Sequence, residues 1–84
     1  MDTEALKALF RLYDADEAHR LWIEIVINGN FSEETIFSQL HVIREILGDQ
    51  PFYGIIKKLL EPYKHRYPKV YGYANRYNSY GYGI

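Results

Sequence analysis

The 84-residue chain has no cysteine. Disulfides, thiolate metal sites and thiol nucleophiles are therefore excluded. The absence fits a reducing compartment. Long apolar runs are also missing. Leu21-Trp22-Ile23 and Ile25-Val26-Ile27 are separated by Glu24, whereas crossing a bilayer takes about 20 apolar residues. The start, Met1-Asp2-Thr3-Glu4, is acidic, and a secretory signal would begin basic and continue apolar. These features predict a soluble, cytoplasmic protein with no membrane partner.

Catalytic and metal chemistry is sparse. Zinc requires three or four convergent ligands, and the sequence offers only His41 with Glu45 and Asp16 with His19 at helical spacing. Both pairs are expected to be surface histidines beside surface carboxylates. Of the three serines, Ser32 reads as a helix cap, Ser38 as helix surface and Ser79 as part of a flexible segment. No glycine-rich loop precedes a helix as a phosphate cradle would require. The expectation is a protein with no catalytic residues, no cofactor and no metal.

The formal charge of −1 conceals a division. Residues 1–50 carry ten acidic and four basic side chains, a balance of −6. Residues 51–84 carry Glu61 alone against six bases, a balance of +5. Eight of the nine tyrosines also fall in the second part. Such a split suits an anionic partner for the basic end, or head-to-tail contact between copies. A chain of this size builds a marginal core, so a partner or a second copy is a physically motivated aid to stability.

Helical periodicity organises most of the chain. Asp2 or Thr3 can cap a first helix with Leu6, Leu9, Phe10 and Tyr13 on one side. The pattern slips at Asp14-Ala15-Asp16-Glu17, where a break is expected. Residues 18–27 are apolar apart from His19 and the stripe Arg20–Glu24. This predicts a nearly buried helix containing Trp22 and stopped by Gly29. The β-branched run at 21–27, followed by Asn28-Gly29, also allows a strand and a hairpin turn. Ser32 caps a third helix with Ile36, Leu40, Ile43 and Leu47 inward and Gly48 at its end. Pro51 is expected at the first position of a fourth helix through Phe52, Ile56 and Leu60, which Pro62 stops.

The composition shifts near Pro68. Residues 71–82 contain five tyrosines, with glycine and asparagine between them, and those residues disfavour helix. The predicted architecture is all-α: a small bundle of three to four helices over residues 1–67, followed by an extended, basic Tyr/Gly-rich tail over 68–84. The alternative is an α+β fold in which strand 21–27 pairs with the tail.

Bases alternate with rings in the C-terminal third. Lys57, Lys58, Tyr63, Lys64, Arg66, Tyr67, Lys69, Tyr71, Tyr73, Arg76, Tyr77, Tyr80 and Tyr82 are the candidate partner-binding residues. Tyrosine and arginine are favoured anchors of protein interfaces, which predicts a non-enzymatic adaptor, inhibitor or assembly subunit binding a protein partner or itself. The same mixture suits single-stranded nucleic acid, where cations hold phosphate and rings stack on bases. Self-packing of the tail across the acidic helices is a third outcome. The tyrosine cluster also resembles, in composition alone, the C-terminal tail of bacterial capsule-synthesis tyrosine kinases. That resemblance implies a tyrosine-modified substrate, as would a precursor peptide with an aromatic tail; no kinase domain accompanies it.

Overall fold

The computed structural model describes residues 2–48 and 51–81, the side chains of 78–81 excepted. Among the described residues it is all-helical: α1 Thr3–Leu12, α2 Ala15–Asn28, α3 Glu33–Leu47, α4 Tyr53–Leu60, a 3-10 turn Glu61–Tyr63, and α5 Pro68–Gly81. The first three helices begin where side-chain oxygens are available to bare backbone N–H groups. Asp2 accepts from Ala5 N–H at 2.7 Å and Asp14 from Glu17 N–H at 2.9 Å. Ser32 accepts from Thr35 N–H at 3.2 Å. Each such cap contributes about 1 kcal/mol. Gly48 ends α3 in the left-handed region, with φ 62, as a helix-stopping glycine does.

The strand alternative for 21–27 is overturned, because this segment is the middle of α2. Its β propensity is outweighed by burial. Ala18, Trp22 and Val26 are each 0 % exposed and Ile23, next to Trp22, is 1 % exposed; a helix puts these neighbours on one broad face, whereas a strand would send 22 and 23 to opposite faces. Asn28-Gly29 makes no hairpin. It opens a helix-ending motif in which Asn30 takes φ 52. Phe31 N–H then returns to the Val26 carbonyl at 3.1 Å and Asn30 N–H to that of Ile27 at 3.2 Å. Glycine at 29 makes room for the Phe31 ring, which a Cβ there would meet at 2.6 Å and displace.

Trp22 is core, and its indole N–H has the partner that burial demands. It donates to Gln39 Oε1 of α3 at 2.7 Å. His19 departs from expectation: it is buried rather than a surface companion of Asp16. Its Nδ1 lies 2.6 Å from the Ala15 carbonyl and its Nε2 accepts Phe52 N–H at 3.1 Å. The ring stacks on Phe52 at 5.2 Å and meets the Phe10 edge at 5.0 Å. Helix α4 starts at Tyr53, two residues beyond Pro51, and Phe52 caps it without a side-chain bond.

The described part of residues 1–67 holds four α-helices, and the expected extended tail is corrected over 68–81, which form a fifth. Tyr67, Val70 and Ala74 are 2 %, 1 % and 1 % exposed and share one apolar cluster with Leu6, Trp22, Ile43 and Leu60. Their spacing of three and four matches one helix face. Pro68 opens α5, where a missing N–H costs nothing. The helix-breaking tendency of Gly72 and the asparagines costs about 1 kcal/mol or less per residue. Burial of Tyr67 and Val70 contributes more, at about 1.5–3 kcal/mol for a side chain of Val size. Residues 82–84 lie outside the described residues. Helix α4 packs against α2 on one side and α5 on the other, while α1 packs on α2 and α3.

Candidate protein-interaction face

Tyr73 and Tyr77, four apart, occupy one side of α5, as i and i+4 positions must. Their rings lie 4.5 Å apart between centroids. Tyr53, in the first turn of α4, meets Tyr73 at 5.9 Å and Tyr77 at 5.7 Å. Phe37 of α3 meets Tyr73 edge-on at 5.5 Å. Seven residues along α3, Arg44 donates from Nη1 to the Tyr73 hydroxyl at 3.2 Å. Edge-on and tilted ring pairs contribute roughly 0.5–1.5 kcal/mol each beyond their burial. The cluster is thus fixed by side chains of three helices, α3, α4 and α5. Tyr77 remains 36 % exposed. Lys69 and Arg76 of α5 are exposed, and neither has a charged or hydrogen-bonding partner among the described residues.

The remaining candidates from the sequence divide into groups. Tyr71 Oη donates to Glu61 Oε1 at 2.5 Å, and Lys64 Nζ meets Glu61 Oε2 at 3.0 Å. The tyrosine bond, followed by the Lys64 bond, holds the Glu61 carboxyl below its ordinary value. The same Glu61 bond raises Tyr71, and the Glu61 carboxylate raises Lys64. This network staples α5 to the 3-10 turn at the solvent surface. Arg66 caps the end of α2, donating to the Ile27 carbonyl at 3.2 Å and to Asn30 Oδ1. Its guanidinium also lies 5.0 Å from the Tyr67 ring centre. Tyr67 is core and its hydroxyl is buried without a hydrogen-bond partner.

Tyr63 lines a groove of about 330 Å³ with Ile23, Ile27 and Leu59, bordered by Arg20 and Glu24. Lys57 is half-buried and Lys58 exposed on α4. The Tyr80 side chain and Tyr82 lie outside the described residues. Of the sequence candidates, then, Lys69, Tyr73, Arg76 and Tyr77 come together, whereas Tyr67 and Arg66 are engaged within the fold. Phe37, Arg44 and Tyr53 join the cluster although the sequence reading did not select them. The seven-residue spacing of Phe37 and Arg44 was the available signal.

No other described cluster offers comparable chemistry. No three of the described His, Asp and Glu residues converge as a metal site would require. His41 and Glu45 meet at 3.4 Å on an open surface. Ser32 is committed to capping, and both His19 nitrogens are committed to backbone groups. No helix among the described residues is long and apolar enough to cross a membrane. No protein-family model matches the chain, no curated protein is significantly similar to it, and no solved structure matches it.

Proposed function

We propose that the protein is a non-enzymatic interaction module, a small adaptor, inhibitor or assembly subunit. It binds a protein partner or a second copy of itself through the face built by Lys69, Tyr73, Arg76 and Tyr77 on α5. The observation that carries this reading is a pre-packed ring cluster, Tyr53–Tyr73–Tyr77, whose Tyr73 and Tyr77 lie on the same helix as two bases with no partner among the described residues. Rigid rings give contact area at low entropic cost. Bases flanking them select an acidic counterpart and accelerate encounter.

Two other readings lose support at particular residues. Stacking of nucleobases needs open ring faces, and these rings turn towards each other at 4.5–5.9 Å. Arg66 and Tyr67, one of the adjacent base–ring pairs in the sequence, are spent on the end of α2 and on the core. As acceptors for a modifying enzyme, Tyr67 is buried and Tyr71 is bonded to Glu61.

The test is the full chain carrying Lys69→Glu and Arg76→Glu together. Association with itself or with a co-purifying protein should be lost, while the far-ultraviolet helix signal is unchanged. Undiminished association in the folded double variant would refute the assignment of this face.

A further inference from the structure

The surface of α5 carries a feature that its own fold does not require. Gly72 lies exposed within the helix, and a Cβ added there would meet nothing within 4 Å. Alanine is the better helix former, so no contact inside the chain explains the glycine. It leaves the backbone bare beside Lys69 and Arg76, where another helix could approach closely. Lys69, Tyr73 and Arg76 follow the spacing i, i+4, i+7. That spacing forms a straight stripe about 10.5 Å long.

The acidic half of the chain contains the matching stripe. On α2, Glu17, Leu21 and Glu24 follow the same i, i+4, i+7 spacing. Both glutamates are exposed and Leu21 is half-buried. Neither glutamate has a hydrogen-bond or ion-pair partner among the described residues. Arg20, between them, is neutralised by Asp16 at 2.5 Å. One stripe therefore reads base–ring–base and the other acid–apolar–acid, at equal length and opposite sign.

We infer that the occupant of the α5 face is a second copy of this chain, whose α2 stripe Glu17–Leu21–Glu24 lies against Lys69–Tyr73–Arg76 with Gly72 permitting close approach. This rests on the interaction reading given above and names its partner. Opposite charges across the contact fix its register, and like charges would oppose any pairing of α5 with α5 or α2 with α2. Tyr73 and Leu21 supply the apolar centre between the two charged ends. The marginal core of a small chain gains from the same burial.

The experiment uses the full chain in sedimentation equilibrium over a concentration series at low and moderate salt. Wild type should self-associate, more weakly as salt rises. Lys69→Glu with Arg76→Glu, and separately Glu17→Lys with Glu24→Lys, should each weaken self-association at least tenfold. Circular dichroism confirms that both remain helical; the four side chains are exposed and form no hydrogen bond or ion pair among the described residues. Mixing the two variants at equal ratio should restore a complex, because both stripes of one are then acidic and both stripes of the other basic. A monomeric wild type across the series, or two variants that associate as wild type does, would overturn the inference. A monomeric wild type whose purified partner is lost on Lys69→Glu and Arg76→Glu substitution overturns the second-copy assignment alone. Loss of neither association overturns the interaction reading as well.

Discussion

The Glu33 carboxylate of α3 accepts the Val70 N–H of α5 at 2.8 Å. An acidic side chain from the N-terminal half thus satisfies a bare donor at the start of the basic C-terminal helix, where the helix dipole also favours an anion. Arg66 does the converse, placing a cation on the carbonyl end of α2. The charge division seen in the sequence is therefore used partly within the chain. Among the described residues, Lys69 and Arg76 are not drawn into it.

Substitution Glu33→Ala should cost about 1 kcal/mol, the usual value of a lost cap, and should loosen α5 before the other helices. Denaturant unfolding reads the first effect. Amide exchange at residues 70–74 reads the second. Unchanged exchange there would show that the cap does not hold α5.

His19 gives the fold a dependence on pH with a definite sign. Burial lowers its pKa from 6.5, partly offset by the Ala15 hydrogen bond and by Asp16. Phe10 and Phe52 face the ring from α1 and from the start of α4, and neither carries charge. Protonation would turn Nε2 into a donor facing the Phe52 N–H. A lowered folded pKa means the stabilisation is complete above about pH 6.5 and is lost as pH falls through the folded value. Wild-type stability should fall below pH 6.5 more steeply than that of His19→Asn, which does not titrate there. Parallel profiles would contradict the assignment.

Tyr67→Phe removes a buried hydroxyl that has no partner. An unsatisfied buried polar group costs roughly 1–3 kcal/mol. Thermal unfolding of this variant should therefore occur at the same or higher temperature than wild type. A lower midpoint would mean that the hydroxyl is satisfied.

Gly72→Ala separates stability from association. An exposed helical glycine costs about 0.8–1.0 kcal/mol relative to alanine, and the added methyl meets nothing in the chain. The monomer should become more stable, and self-association weaker. Gain in stability with unchanged association would show that Gly72 is not at the contact.

Much of the fold was legible where local chemistry marks an end. Asp14, Ser32 and Gly48 announce their helix boundaries because caps act over three or four residues. Helix α5 was not legible, since its glycines and asparagines argue locally against helix and only burial of Tyr67, Val70 and Ala74 against the rest of the core reverses that. His19 was misread for the same reason, because its partner Phe52 lies 33 residues away. Within the candidate site, the tyrosines and bases of α5 were legible by type. Phe37, Arg44 and Tyr53 join them only through packing between helices.

The central claim is that the Lys69–Arg76 face of α5 holds a second copy of the chain rather than facing solvent. Sedimentation of the folded Lys69→Glu, Arg76→Glu double variant beside wild type tests it most directly. The account predicts that wild type associates and the variant sediments as a lone monomer with its helix content intact. Equal association of the two, with equal helix content, would contradict it.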